Sequence, residues 1–153
     1  MPRILVMFGP NLNLLGEREP EVYGHDSLEG ITTRLQQAAA SEGVEVEVFQ
    51  SNHEGELIDR LHAVRHTHDA VVLNPGGLTH TSVALRDAVA AIGIPVVEAH
   101  LSNPFRREPF RRRSLLASVC VGSIQGFGTA SMVLALRAAA GLVRKTPRGG
   151  ADA

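Results

Sequence analysis

Short apolar runs alternate along this chain with longer segments in which apolar positions recur every three or four residues. Continuous apolar runs bounded by turn residues are typical of strands buried on both faces. One run instead alternates strictly between apolar and polar positions, which predicts that one of its faces, or an edge, meets a polar environment. The predicted strands lie at 3–9 (RILVMFG), 44–50 (VEVEVFQ, the alternating run), 69–74 (DAVVLN), 94–100 (IPVVEAH) and within 116–126 (LASVCVGSIQG).

The longer segments predict four helices. In the first, Asp26 and Glu29 have the spacing of a capping box, and Gly43 is a stop signal. The third is expected to begin directly after the pair Gly76-Gly77, with Thr79 or Thr81 as its N-cap. The helical segments are 26–43, 54–66, 79–93 and 127–143.

The order of these elements predicts the fold. Five strands alternating with helices favour a parallel sheet covered on both faces and joined by right-handed crossovers. The commonest five-stranded solution is the three-layer, flavodoxin-like α/β fold with strand order 2-1-3-4-5. We expect a single catalytic domain over 1–143 and a disordered tail over 144–153, because the tail is Gly-rich and has nothing to bury.

Composition narrows the classes of partner. Apolar residues make up 44% of the chain, charged residues 20%, and the formal net charge is −1. Such a protein has no overall field to attract nucleic acid or an anionic membrane, and no apolar run approaches the ~18 residues of a membrane span. The single cysteine, Cys120, lies in an apolar run and is predicted to be a buried structural thiol. We expect a cytoplasmic protein without nucleic-acid or membrane partners.

Polar side chains gather at one end of the predicted strands. In open parallel sheets, ligands bind beyond the carboxyl ends of the strands, so polar residues at those ends are the functional candidates. The amino ends carry few such residues. The carboxyl ends hold Asn11, Asn13, Asn52, His53, Asn74, His80, Glu98, His100, Ser102 and Gln125.

The segment NPGGLTHTS, residues 74–82, predicts an anion site. Gly76-Gly77 let a ligand approach the backbone closely, and the N-terminus of the expected helix offers free N–H groups and a positive dipole end. The same dipole disfavours a cation, so His80 is expected to be a neutral hydrogen-bonding side chain rather than an acid.

Glu98 and His100 stand two residues apart at the end of the fourth predicted strand. Alternation points both side chains to the same face, so that the carboxylate can orient the imidazole for general acid or base catalysis. A purely structural histidine is the alternative. The nearby segment RREPFRRRS, residues 106–114, is a solvated basic loop, a nucleic-acid contact without the usual aromatic partners, or a clamp for a small anionic substrate.

The only tyrosine, Tyr23, lies in a long irregular polar loop. Its reference pKa of ~10 leaves little phenolate at neutral pH, so its use as a base requires nearby cations such as Arg18 in the same loop. A lid-anchoring tyrosine without a proton role is the other interpretation. No dinucleotide or P-loop motif and no metal-ligand spacing is present, which favours a cofactor-free acid–base enzyme over a non-catalytic binding module for an anion or nucleotide.

The last predicted helix is apolar around most of its circumference, which favours an oligomer because such a surface must be covered. Its apolar residues are Ala130, Met132, Val133, Leu134, Leu136, Ala138, Ala139, Leu142 and Val143.

Four segments resemble the signature segments of type II 3-dehydroquinate dehydratase, in the same order and at similar spacing up to about Leu142. They are GPNLNLLGEREPEVYG, QSNHEGELID, NPGGLTHTSVALRDA and VVEAHLSNPFRREPFRRRS. The resemblance implies reversible loss of water from 3-dehydroquinate to give 3-dehydroshikimate, without a metal or cofactor. It also implies a flavodoxin-like fold and a homododecamer built as a tetramer of trimers. Because the reaction runs both ways, it implies a place either in the shikimate pathway or in quinate breakdown.

The resemblance also implies roles for individual residues. Tyr23 would remove the C2 proton, Arg18 would favour its phenolate form, and Asn11 would hold a water against the enolate oxygen. His100, oriented by Glu98, would protonate the departing C1 hydroxyl.

For substrate binding, the resemblance places the carboxylate at Asn74, Leu101 and Ser102, and not at the Gly76-Gly77 helix start that the residues themselves suggest. The other implied contacts are His80 and Arg111 to ring hydroxyls, Arg107 in the lid or clamp, and Asp87 reaching the site of a neighbouring subunit.

Overall fold

The computed structural model describes residues 1–23 and 26–145, apart from the side chains of Tyr23 and Lys145. Five parallel strands form one sheet in the order β2-β1-β3-β4-β5, which confirms the predicted topology. The strands are β1 Arg3–Phe8, β2 Glu45–Gln50, β3 Ala70–Asn74, β4 Val96–His100 and β5 Gly122–Gln125. The α-helices are α1 Pro20–Tyr23, α2 Leu28–Glu42, α3 Glu54–Val64, α4 Val83–Ala91 and α5 Thr129–Lys145.

Helices cover the sheet on both faces, as its buried central strands require. Alternate side chains of β1 point to opposite faces, so Ile4, Val6 and Phe8 pack in one apolar cluster with residues of α2 and α5. Leu5 and Met7 pack in the other, with residues of α3 and α4. The alternating segment forms β2 at one edge of the sheet, where its side chains are half-buried, as its pattern predicted.

The helix starts differ from the sequence predictions. The N-cap of α2 is Ser27, whose hydroxyl accepts from the Gly30 N–H, so the assignment of Asp26 as cap was wrong. After β3 the chain forms a 3₁₀ turn over Gly76–His80, and α4 begins only at Val83 under a Ser82 cap. The helix N-terminus expected directly after Gly76-Gly77 is therefore several residues away, and neither predicted threonine caps it.

The segment between β4 and β5 is irregular, as expected from its composition. It contains three 3₁₀ turns, and two of them begin with a proline, whose fixed φ suits the first position of a helical turn. The turns are Pro104–Arg106, Pro109–Arg112 and Ala117–Val119.

The last helix extends two residues beyond the predicted domain end at 143. Arg144 pairs with Glu42 at 3.1 Å, and Arg137 donates to the same carboxylate at 2.7 Å, so α5 is fastened to the end of α2. Burial alone raises the pKa of a carboxyl, but the hydrogen bonds from these two arginines are the larger effect and lower the pKa of Glu42. The predicted tail from 146 onward lies outside the described residues.

Cys120 is partly buried, and burial with the nearby Glu98 charge raises its pKa to about 12. A thiol with such a pKa stays protonated at neutral pH and is a poor nucleophile, as the sequence prediction of a structural thiol requires. None of the helices in the described part of the chain has the length and apolar character needed to cross a bilayer.

Candidate active site

A cavity of about 120 Å³ opens at the carboxyl edge of the sheet, where polar residues were predicted to meet. Its walls come from the loops after β1, β3 and β4. The residues lining it are Pro10, Asn11, Leu12, Arg18, Asn74, Gly76, Gly77, His80, His100, Leu101, Ser102, Pro104, Arg107 and Arg111. Most of the predicted site residues are therefore neighbours, although they are spread over about a hundred positions of sequence.

The loops after β1 and β3 are packed together beneath the cavity. The Gly9 N–H donates to the carbonyl oxygen of Asn74 at 2.8 Å. A Cβ on Gly9 would lie 2.4 Å from the carbonyl oxygen of Pro75, and one on Gly76 would lie 3.0 Å from that of Pro10. Gly76 also has a φ of +60°, which side chains disfavour. Glycine is required at both positions so that the two loops can meet.

Asn11 lies in the loop after β1, in a left-handed conformation with a φ of 72°. Asparagine tolerates this region better than most residues. Its backbone N–H donates to Oδ1 of Asn52 at 2.9 Å, and the Gln50 amide donates to the same oxygen at 3.1 Å. The predicted polar residue at the end of β2, Asn52, thus supports the loop instead of lining the cavity.

Asn74 is buried at the end of β3. Its Oδ1 accepts from the Gly76 N–H at 3.3 Å, and its Nδ2 lies 3.8 Å from the sulfur of Met132. The amide nitrogen carries two hydrogens and the sulfur is a weak acceptor, so Asn74 retains a donor for a ligand in the cavity.

Glu98 and His100 form the pair that their spacing predicted. His100 Nε2 lies 2.6 Å from Oε2 of Glu98, and the glutamate is only 1% exposed. The imidazole lines the cavity, whereas the carboxylate lies beneath it. Because Glu98 engages Nε2, Nδ1 is the nitrogen left for exchanging a proton with a ligand.

Two hydroxyl groups that the sequence did not single out as partners also contact Glu98. The Thr79 hydroxyl lies 2.5 Å from Oε2, and the Ser114 hydroxyl lies 2.9 Å from both carboxylate oxygens. Burial raises the pKa of Glu98, but the hydrogen bonds from His100, Thr79 and Ser114 together outweigh it and hold the pKa below its usual value. The sequence offered Thr79 only as one of two possible helix caps. Nothing in the sequence around Ser114, directly after the arginine run, indicated a contact with Glu98.

The cavity is cationic. Arg18, Arg107 and Arg111 line it, and no Asp or Glu is among its described lining residues. The guanidinium of Arg107 donates to the Ser102 hydroxyl at 3.2 Å, whereas Arg111 is held by Glu108 at 2.6 Å. Arginines arranged around a small polar cavity favour an anionic ligand. The clamp interpretation of the arginine-rich segment fits Arg107 and Arg111, which line this cavity. Arg106, Arg112 and Arg113 do not line it.

His80 lines the cavity on the side of Arg111. Its Nδ1 lies 2.7 Å from the Arg113 carbonyl oxygen, which requires a hydrogen on Nδ1 and leaves Nε2 as an acceptor in the neutral ring. The edge of Phe110 meets the ring at a centroid distance of 6.4 Å. His80 therefore has a fixed orientation and can hydrogen-bond a polar ligand.

Besides Glu98, the predicted site residues Asp87 and Tyr23 are not placed in the cavity of this chain. Asp87 is exposed on α4 and does not line it. The side chain of Tyr23 lies outside the described residues, although its backbone ends α1, directly after the loop that carries Arg18. No group of three or more His, Cys, Asp or Glu side chains suited to a metal ion occurs within 1–23 and 26–145.

The fold and the site together define a flavodoxin-like α/β protein with an acid–base pair beside a cationic cavity. A family profile described as dehydroquinase class II matches residues 2–140, nearly the whole chain. The chain belongs to this family.

Individual relatives agree with this assignment. The 3-dehydroquinate dehydratase of Desulforudis audaxviator is 58% identical over 143 residues, which cover 94% of this chain and 95% of the relative. That of Caulobacter vibrioides is 54% identical, over 92% of this chain and 97% of the relative. The crystal structure of type II dehydroquinase from Butyrivibrio crossotus superposes with a TM-score of 0.88 at 41% identity, over 90% of this chain and 97% of that one.

Proposed function

We propose that this protein is a 3-dehydroquinate dehydratase, a hydro-lyase that converts 3-dehydroquinate reversibly into 3-dehydroshikimate and water within the shikimate pathway. Membership of the family and the names of its relatives support the reaction. The observation that carries the proposal is the buried Glu98–His100 pair at a cavity lined by three arginines, which suits acid–base chemistry on a carboxylate substrate.

The proposed elimination passes through an enolate. Tyr23, as phenolate, takes the proton from C2, and the electron pair of that bond moves toward the oxygen of the C3 ketone. When the enolate collapses, the C1–C2 double bond forms and the C1 hydroxyl leaves as water with a proton from His100. After this step Tyr23 has gained a proton and His100 has lost one. Before the next turnover Tyr23 must therefore release its proton and His100 must take one up, through solvent.

The cavity supports the other proposed catalytic roles. Arg18 lines it and is near the backbone of Tyr23 in sequence, so its positive charge would stabilise the phenolate. Asn11, held by Asn52 at the mouth of the β1 loop, would position a water against the enolate oxygen. Stabilising charge that develops on an oxygen is commonly the largest catalytic contribution in such sites.

The remaining lining residues would bind the substrate. Asn74 offers an amide donor for the carboxylate, and Ser102 and Leu101, which line the same cavity, would supply further donors. The acceptor on His80 and the charge of Arg111 would hold ring hydroxyls. Arg107, which contacts the Ser102 hydroxyl, would close the cavity over the bound substrate.

A direct assay tests this function. Purified protein is incubated with 3-dehydroquinate, and the conjugated enone of the product is followed by its ultraviolet absorbance. His100→Gln is expected to lower kcat about 10²-fold or more, the usual contribution of a general acid. His62→Gln, which changes an exposed histidine on α3, is the matched control and should behave as the wild type.

A second candidate function is a binding module without catalysis, and two measurements on the same purified protein distinguish it from the enzyme. Tight binding of the substrate by calorimetry with no enone formation, even at high protein concentration, would favour the binding module. The cationic cavity suits both functions, whereas the buried acid–base pair favours the enzyme.

We also propose a cytoplasmic homododecamer in which Asp87 completes the site of a neighbouring subunit. Exposed apolar side chains such as Phe127 on the turn before α5 and Leu134 on that helix support an assembly. Asp87 is exposed and lies outside the cavity of its own chain. Light scattering measures the assembly, and Asp87→Ala is expected to lower activity without unfolding the subunit. Cell fractionation checks the location.

A further inference from the structure

The carboxylate of Glu98 is surrounded by hydrogen-bond donors from three parts of the chain. Thr79 comes from the turn after β3, His100 from the same strand as Glu98, and Ser114 from the end of the arginine-rich segment. The two hydroxyl oxygens lie 2.9 Å from each other. The backbone holds them in place, because the Leu115 N–H donates to the Thr79 carbonyl oxygen at 2.7 Å.

Counting hydrogens fixes the direction of these bonds. The Ser114 hydroxyl oxygen accepts from the N–H groups of Leu116 at 3.1 Å and Ala117 at 3.0 Å. A hydroxyl has two lone pairs and one hydrogen, so the Ser114 hydrogen remains to be donated, and the nearest charged acceptor is Glu98. The Thr79 hydroxyl, at 2.5 Å from Oε2, donates its own single hydrogen to the same group.

This arrangement favours an ionised Glu98. The hydroxyls of Thr79 and Ser114 both donate to its oxygens, and hydrogen bonds to a charged carboxylate are stronger than those to a neutral carboxyl group. Removing either donor would make the buried charge less stable. An ionised Glu98 in turn requires a hydrogen on Nε2 of His100, which leaves Nδ1 to exchange protons at the cavity.

We propose that Thr79 and Ser114 are positioning residues, which keep Glu98 ionised and thereby hold His100 in the tautomer that presents Nδ1 to the substrate. The expected effect of these two residues on catalysis rests on the proposed function, whereas their effect on the His100 tautomer does not. Neither residue lines the 120 Å³ cavity, although both line an adjoining cavity that shares His80, His100 and Arg111 with it. Both hydroxyls are bonded to Glu98, so the two residues act through Glu98 and His100.

The first experiment removes the Thr79 hydroxyl in Thr79→Val, which preserves the shape of the side chain. We expect kcat to fall about 10- to 100-fold, the range that one hydrogen bond to a charged group can supply. KM should stay within about threefold of the wild type, because the change does not alter contacts with the substrate. Thr79→Ser retains the donor and should restore most of the activity.

The pH–rate profile separates this role from simple packing. Losing a donor makes the charged carboxylate less stable and raises the pKa of Glu98, so the limb that reports this carboxylate should move to higher pH. The other described ionisable groups near the pair are Cys120 and the side chains that line the two cavities, and all remain in the variant. Those side chains are Arg18, His80, Arg107, Arg111 and Arg112. Thr81→Val, an exposed change in the same turn, should leave the profile unmoved.

Ser114→Ala is the second variant, and it should shift the same limb in the same direction. Because it also removes the acceptor for two backbone N–H groups, its melting temperature is measured alongside. In the double variant the fold-decrease in kcat should be smaller than the product of the two single fold-decreases, since both hydroxyls act on one carboxylate.

A measurement without turnover keeps the inference independent of the reaction. Nitrogen-15 NMR of the unliganded protein, with His100 assigned by comparison with His100→Gln, should show hydrogen on Nε2 in the wild type. In the Thr79→Val Ser114→Ala variant the tautomer with hydrogen on Nε2 should be less populated. An unchanged tautomer population, or Thr79→Ser as impaired as Thr79→Val, would overturn the positioning role. Wild type with the expected tautomer but no enone formation would refute the proposed function alone.

Discussion

Gly9 and Pro75 meet so closely that a Cβ on Gly9 would lie 2.4 Å from the Pro75 carbonyl oxygen. The contact joins the loop after β1 to the loop after β3, and these two loops carry Asn11 and Asn74 into the cavity. The absence of a side chain on Gly9 therefore sets how closely the two loops approach each other, and with that the positions of Asn11 and Asn74.

Gly9→Ala is expected to destabilise the protein by about 1–3 kcal/mol, the usual cost of overpacking a rigid contact. The obstacle is backbone, which cannot rotate away, so the loops must separate and activity should fall as well. Thermal denaturation and kcat/KM measure the two effects. Gly55→Ala is the matched control, since a Cβ there meets nothing within 4 Å and alanine favours helix α3. Equal behaviour of the two variants would contradict the prediction.

Acid should weaken the fold through Glu98. Its pKa is lowered in the folded protein, so the unfolded chain binds the proton more readily. The stabilisation is present above the unfolded pKa of about 4.3 and is lost as the pH falls through the lower folded value. We expect the melting temperature of Glu98→Gln to fall less steeply with acid than that of the wild type. Both proteins retain Glu42, whose lowered pKa contributes a common slope.

The same substitution tests the catalytic pair. Glu98→Gln removes the charge that stabilises a protonated His100, and we expect kcat to fall about 10²-fold while KM changes little. Stopped-flow or steady-state enone formation provides the measurement. A variant with normal turnover would show that His100 does not depend on the carboxylate.

Tyr23→Phe is expected to lower kcat by several orders of magnitude and to leave folding intact, because the change removes only the phenolic oxygen. Enone formation gives the rate, and circular dichroism gives the fold. Near-normal turnover would remove the base assignment and favour a tyrosine that only anchors the loop.

Arg18→Ala should move the limb of the pH–rate profile that reports the base to higher pH. A guanidinium near a phenol stabilises the phenolate, so its loss should make the proposed base harder to form. Arg106→Ala, which removes an arginine from outside the cavity, is the matched control. An unmoved profile in Arg18→Ala would mean that Arg18 does not tune the phenol.

The sheet and most of the cavity were predictable from the chain. Runs such as 69–74 are apolar because both faces of a central parallel strand are covered, and the edge strand β2 alternates because its side chains are half-buried. Parallel strands bring their carboxyl ends to one edge, so Asn74, His100 and Asn11 had to be neighbours.

The residues at which helices begin and the contacts between loops were less predictable. Thr79 and Ser82 are both acceptable N-caps by residue type, and the sequence gives no reason for the 3₁₀ turn that precedes α4. In the structure Ser82 caps the helix, and Thr79 turns instead toward a buried carboxylate.

By itself, then, the sequence determined the succession of strands and helices, the edge at which the site lies and the pairing of Glu98 with His100, because these follow from local periodicity and strand direction. Only the tertiary structure decided that Thr79 and Ser114, 35 residues apart, donate to one carboxylate. Contacts of that kind depend on how two irregular loops pack, and no repeating pattern of residues encodes the distance between them.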